Sequence, residues 1–248
     1  ENKPFSIIET DGHTGDAGTK TRIEAFLYCI ESYKRLEDTK RTALKSTDFK
    51  ALENNKINIT EAHQSKEVIL LPSMGAITDI LASLLHSEGI YAETLPKPTN
   101  DSLRFGRQYT SGKECIPMTI TAGSLLERLS RENDSDKRFA FFMPTSHGPC
   151  RFGVYNVLHK IILEKTNWGD RVRIVAPNDQ DYFAGMSPDF RVRAIAGYAA
   201  SDLLMAALHD VRPCEREQGI SQQIYDRYFN ELIELLSSSA ASSLLSAL

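Results

Sequence analysis

Apolar residues along this chain fall into two alternating rhythms. Short continuous apolar runs recur in KEVILLP (66–72), IYAETLP (90–96), RFAFFMP (138–144) and RVRIVAP (171–177), each closed by a proline. A run of four to six apolar residues bounded this way predicts a strand covered on both faces. Between the runs lie stretches with apolar residues three and four apart. They predict helices over 76–88, 100–110, 117–131, 152–165, 188–211 and 219–238. In the first, Ile77, Ile80, Leu81, Leu84 and Leu85 share one side and Gly89 closes the element. Strand, helix and strand in this order build right-handed βαβ units and hence a parallel sheet.

The pattern is weaker upstream. Residues 4–9 (PFSIIE) read as a buried strand, followed by a Gly-rich loop and a helix over 21–36 with Ile23, Phe26, Leu27 and Ile30 at core spacing. Residues 37–66 are polar and aperiodic, and read as a connector, partly helical and mobile. The tail from 239, dominated by Ser and Ala, reads as flexible. The chain opens on Glu1 and runs at once into a strand pattern, so it reads as a piece of something longer. The α/β domain proper is expected over 67–238.

Composition narrows the function classes. Of 248 residues, 41% are hydrophobic and 25% charged, the balance of an ordinary globular protein. A net charge of −4 with dispersed Lys and Arg gives no footprint for nucleic acid. No apolar run approaches the ~20 residues needed to cross a bilayer, so neither membrane nor nucleic acid is an expected partner. With four cysteines and no export signal, the expected compartment is a reducing one, the cytoplasm.

The candidate chemistry lies in two cysteines. Cys115 (SGKECIP) and Cys150 (TSHGPCRFG) each occupy a loop just before a helix, thirty-five residues apart. A cysteine there faces the positive end of a helix dipole, which favours the metal-binding or reactive thiolate. Neither matches a zinc-finger or C-x-x-C spacing. In open parallel sheets, ligands bind outside the carboxyl ends of the strands. That edge collects both cysteine loops, the Ser73-Met74-Gly75 turn and the NDQDYFAGMS loop. No G-x-x-x-x-G-K-[ST] phosphate loop occurs.

The words around the cysteines carry a resemblance. LPSMG, PKPTNDSLRFGRQYTSGKECIP, MPTSHGPCRFGVY and the opening ETDGHTGDAGTKTRIEAFL resemble the C-terminal region of acyl-CoA dehydratase activase-related proteins. These are relatives of the 2-hydroxyacyl-CoA dehydratase and benzoyl-CoA reductase subunits. The resemblance spans about 150 to 200 residues. It implies a Rossmann-like three-layer α/β fold, a parallel sheet of four to five strands with helices on both faces. It also implies a [4Fe-4S] cluster for low-potential one-electron chemistry, with Cys115 and Cys150 as two ligands. A further family cysteine lies upstream of the segment matched here, so the ligand set is expected to be incomplete, with the cluster expected in the full-length protein and absent from this piece. Ser146, His147 and Arg151 would donate to the cluster region, and the Gly148 and Gly112 neighbourhoods would offer backbone N–H groups. Implied partners are dehydratase or activase components and acyl-CoA.

The remaining candidates have bland readings beside the sharp ones. Cys29 (FLYCI) reads as helix core, and Cys214 (VRPCERE) as a non-ligand. His13 lies in a loop shaped either for turns or for an active site. His86, His159 and His209 read as surface or packing residues, and Asp179 and Asp181 as solvated loop acids. Thr19 or Thr21 caps the first helix beside Arg22 and Glu24. Two rivals stand beside the electron-transfer reading: a catalytic dehydratase-type subunit with acyl-CoA against its cluster, and a non-enzymatic docking or cluster-carrying module. A cleft beside Cys115 and Cys150 large enough for a CoA arm favours the first, and a flat apolar patch there the second.

Overall fold

The computed structural model describes residues 56–146, 148, 150–178, 183 and 185–238, together with residues 19, 20, 23, 24, 26, 27 and 30. The chain divides into two compact units, Glu1–Ala51 and Leu52–Leu248. In the first, the described residues are helical, and Lys20 faces Glu24 at 3.9 Å, one turn on. Ile23 and Leu27, expected as core, are exposed. Periodicity shows which side of a helix is apolar, not whether another layer covers it. The expected strand at 4–9 lies outside the described residues.

The second unit carries the sheet. In chain order its elements are β1 (Lys56–Ile57), α1 (Ile59–Gln64), β2 (Val68–Leu71), α2 (Ala76–Ser87), β3 (Ala92–Thr94), α3 (Asn100–Arg107), α4 (Ile116–Ser130), β4 (Phe139–Phe142), α5 (Tyr155–Lys165), β5 (Val172–Val175), α6 (Pro188–Val211) and α7 (Ile220–Ser238). Single 3₁₀ turns, Arg151–Val154 and Arg212–Cys214, precede α5 and follow α6. The five strands order as β1-β5-β4-β2-β3, and every pairing is parallel. Ile69 registers with both Ala92 and Ala140, and Ala140 with Arg173.

Each strand divides its side chains between two cores, as the two-residue period requires. Ile69, Leu71, Ala140, Phe142 and Val175 face one core, shared with α2, Phe190 and Ala194 of α6, and Leu236 of α7. Val68, Leu70, Phe139, Phe141, Val172 and Ile174 face the other, shared with α4 and α5. Helices therefore cover both faces, and the chain has the expected Rossmann-like three-layer α/β fold. Ile77, read as core, is instead 48% exposed. It sits in the first turn of α2, at the end of the apolar stripe.

The unit also begins earlier than the sequence pattern suggests. Lys56 and Ile57 form an edge strand on β5, and α1 follows with a capping box. Asn58 Oδ1 accepts from the Glu61 amide at 2.8 Å, while Glu61 Oε2 accepts from the Asn58 amide at 3.0 Å. The sequence places this span in a partly helical connector over 37–66; the helix agrees with that, and the pairing of Lys56 and Ile57 with β5 corrects it. A two-residue strand gives no period to read, and α1 contributes only Ile59 and Ala62 as buried residues.

The switch in winding direction falls between β2 and β4. From β2 the chain moves outward to β3, then returns through α4 to the other side of β2. That reversal opens a crevice at the carboxyl ends of the strands, and the starts of α4 and α5 border it.

Candidate functional site

Cys115 is the N-cap residue of α4. Its carbonyl accepts from the Met118 and Thr119 amides at 3.0 and 3.3 Å, and Pro117 occupies the first turn. The loop before it closes on the Glu114 carboxylate. Oε2 accepts from the Ser111 and Lys113 amides at 2.9 and 3.1 Å, and Oε1 from the Ser111 hydroxyl at 3.0 Å. Burial opposes ionisation of Glu114, but these backbone and hydroxyl bonds outweigh it and hold its carboxyl below the usual value. Gly112 takes φ +84°, a backbone state rarely open to other residues, and lets the loop turn back on itself.

Cys150 is the N-cap residue of the 3₁₀ turn that leads into α5. Its loop leaves β4 through Met143 and Pro144 and is pinned on both sides. The Thr145 amide donates to the Pro177 carbonyl at 2.8 Å, and the Thr145 hydroxyl to the Gly153 carbonyl at 2.7 Å. The Ser146 carbonyl lies so near Gly153 that a β-carbon there would come within 2.4 Å of it.

The two loops meet. Arg151 Nη1 donates to the Lys113 carbonyl at 2.8 Å, tying the residue after Cys150 to the loop that carries Cys115. Tyr155, the first residue of α5, places its hydroxyl 2.5 Å from the Cys115 sulfur. Its phenol is pushed up to about 12, first by burial and then by the Cys115 hydrogen bond and the charges of Cys115 and Cys150. Cys115 is half-buried, Cys150 is exposed, and both are free thiols.

A solvent-open cleft of about 140 Å³ runs beside Cys115 and Tyr155. Met118, Val154 and Leu158 supply its apolar wall, and Lys113 and Arg151 its cationic rim. It is a cleft rather than a flat patch, lined by Cys115 and not by Cys150, and smaller than the roughly 300 Å³ at which small-molecule pockets begin.

Of the expected donors, Ser146 is half-buried and Gly148 exposed at the turn before Cys150. Arg151 directs Nη1 to a carbonyl of the other loop and so acts as a strap between the loops. His147, His13, Cys29, Thr21, Arg22, Asp179 and Asp181 lie outside the described residues. Cys214 is exposed in the 3₁₀ turn after α6. His86 is an exposed surface residue bonded to the Ala92 carbonyl at 2.7 Å, and His209 is exposed on α6. His159, by contrast, is fully buried. Tyr155 is the site residue that spacing does not reveal. It is the last letter of MPTSHGPCRFGVY, and only the fold brings it to a cysteine forty residues back.

Among the described residues, no three His, Cys, Asp or Glu side chains group closely enough to hold a metal ion. The two joined loops each carry a soft thiol, a donor that suits iron–sulfur or zinc rather than hard cations, and together they could supply at most two positions of a four-thiolate set.

Fold and site together define a class: a parallel α/β domain with two cysteine loops joined at the carboxyl edge of its sheet. No protein-family model matches the chain, and no curated protein or solved structure matches it significantly.

Proposed function

We propose that Cys115 and Cys150 are two thiolate ligands of a [4Fe-4S] cluster, in a cytoplasmic protein related to the acyl-CoA dehydratase activases. The carrying observation is the junction of the two loops, strapped by Arg151 to Lys113 and spanned by Tyr155. When bound, such a cluster supplies low-potential one-electron transfer, used here for 2-hydroxyacyl-CoA dehydration or a related acyl-CoA reduction. The chain's own part is to hold two sulfurs at adjoining helix starts, with the remaining ligands supplied from outside this pair. Dehydratase or activase components are the partners that this reading requires.

A second reading rests on the cleft. Its apolar wall and cationic rim suit an acyl thioester approaching Cys115, which favours a dehydratase-type subunit that contacts acyl-CoA directly. The docking or cluster-carrying module has no comparable observation behind it.

Anaerobic reconstitution with iron and sulfide, followed by visible absorption and EPR spectra, tests the ligand assignment. Cys115→Ala and Cys150→Ala should each lower cluster content and alter the reduced spectrum. Spectra identical to wild type in both variants overturn it. Acyl-CoA added to the loaded protein should perturb the spectrum under the second reading only.

A further inference from the structure

We propose that Tyr155 is the positioning residue of this site: its hydroxyl fixes the Cys115 sulfur and, by hydrogen bonding to it, raises the reduction potential of the centre that the sulfur ligates. The redox half of this proposal rests on the iron–sulfur reading above; the positioning half does not.

The placement of the phenol carries the argument. Tyr155 is 6% exposed, and its ring meets Phe152 edge-on at 5.2 Å and 63°. Its backbone begins α5 directly after the turn capped by Cys150. The ring is thus anchored on one cysteine loop while its hydroxyl reaches the sulfur of the other. A buried phenol needs a partner for its O–H. A sulfur that ligates a metal carries no proton, so across this contact the phenol O–H is the donor and the sulfur the acceptor. Packing alone would be served equally by phenylalanine, which has the same shape without the hydroxyl.

A hydrogen bond donated to a ligating sulfur draws negative charge away from the metal side and stabilises the reduced, more negative state. Loss of that bond leaves the oxidised state relatively favoured, so the potential falls. The cluster, its ligand count and the fold need not change for this to happen.

Tyr155→Phe separates these effects. In the unloaded protein near ~pH 6, below the ordinary thiol range, the Raman S–H stretching band lost in Cys115→Ala should shift in Tyr155→Phe. The band lost in Cys150→Ala should stay in place. In the loaded protein, anaerobic redox titration should show a more negative midpoint for Tyr155→Phe at unchanged cluster content. Phe152→Leu, which alters packing but keeps the hydroxyl, should leave the midpoint at the wild-type value. Fluorotyrosine placed at 155 preserves the shape and donates more strongly, so it should move the midpoint upward. An unmoved Cys115 band together with midpoints equal to wild type overturns the proposal. A Cys115 band that moves in Tyr155→Phe, with no cluster taken up by the unsubstituted protein even beside dehydratase or activase components, leaves the positioning role standing and overturns both the redox half and the iron–sulfur reading.

Discussion

Beside Tyr155, at the heart of the α4–α5 core, His159 is buried without a charged partner. Its Nδ1 lies 2.6 Å from the Tyr155 carbonyl, an acceptor only, so Nδ1 carries the proton of a neutral ring. Nε2 has no hydrogen-bond partner among the described residues, and the ring packs against Phe141 at 5.1 Å. Burial lowers its pKa from 6.5 to about 4, partly countered by the Tyr155 carbonyl. Between those two values the unfolded chain binds a proton that the folded chain does not. Stability should therefore fall as pH drops from about 6.5 towards 4, by up to about 3 kcal/mol from this group. Urea unfolding across that range tests it. His159→Leu should flatten this part of the profile, and parallel wild-type and variant curves would show the histidine to be uninvolved.

Between α3 and α4 the decisive contact is backbone against backbone. A β-carbon on Gly123 would sit 1.7 Å from the Ser102 carbonyl oxygen, and one on Gly106 would sit 1.9 Å from the Thr119 carbonyl oxygen. Both glycines lie inside helices, where their low propensity is a cost of about 1 kcal/mol each, and close approach is what they provide in return. Gly123→Ala should destabilise the protein by about 2–3 kcal/mol, read as a lower urea midpoint. Because Cys115 caps α4, displacement of that helix should also weaken cluster uptake. An unchanged midpoint would mean that the helices separate freely. At the entry to the unit, Asn58→Ala removes the α1 capping box and should cost about 1 kcal/mol. Native-state hydrogen exchange should show the loss first in residues 59–64, and unaltered protection there would count against the cap.

Across the whole sheet unit, Arg193 joins three helices on the face opposite α4 and α5. Its guanidinium pairs with Glu88 at 2.5 Å and Asp189 at 2.8 Å, and donates to the Ser87 hydroxyl at 3.1 Å and the Leu236 carbonyl at 3.3 Å. It thereby holds the end of α2, the start of α6 and the end of α7 together. Arg193→Ala should cost about 2–3 kcal/mol, somewhat below the loss typical of a fully buried pair because Glu88 and Asp189 keep some solvent. Arg193→Lys should recover only part, since an ammonium cannot fork to several acceptors. Thermal unfolding decides this, and full recovery by lysine would reduce the network to a point charge. No helix among the described residues is long and apolar enough to cross a membrane.

The apolar runs 68–71, 139–142 and 172–175 determined by themselves that this is a parallel α/β protein. Strands buried on both faces have few alternatives once helical periods separate them. The Cys150 loop was legible for the same reason, since topology sends every strand-to-helix loop to one edge, whereas the Cys115 loop joins α3 to α4 and only the fold brings it there. Local pattern could not reveal β1, which is too short to show a period, nor the exposure of Ile77 and Leu27, which depends on what lies across from them. It could not reveal Tyr155 either. That residue reads as one more apolar position at the start of a helix, and its meaning comes from a sulfur forty residues away. Sequence sets what each segment prefers over a few residues, and tertiary structure decides which distant groups meet. At this site the meeting of Cys115, Tyr155 and the Cys150 loop is the part that only the fold could decide.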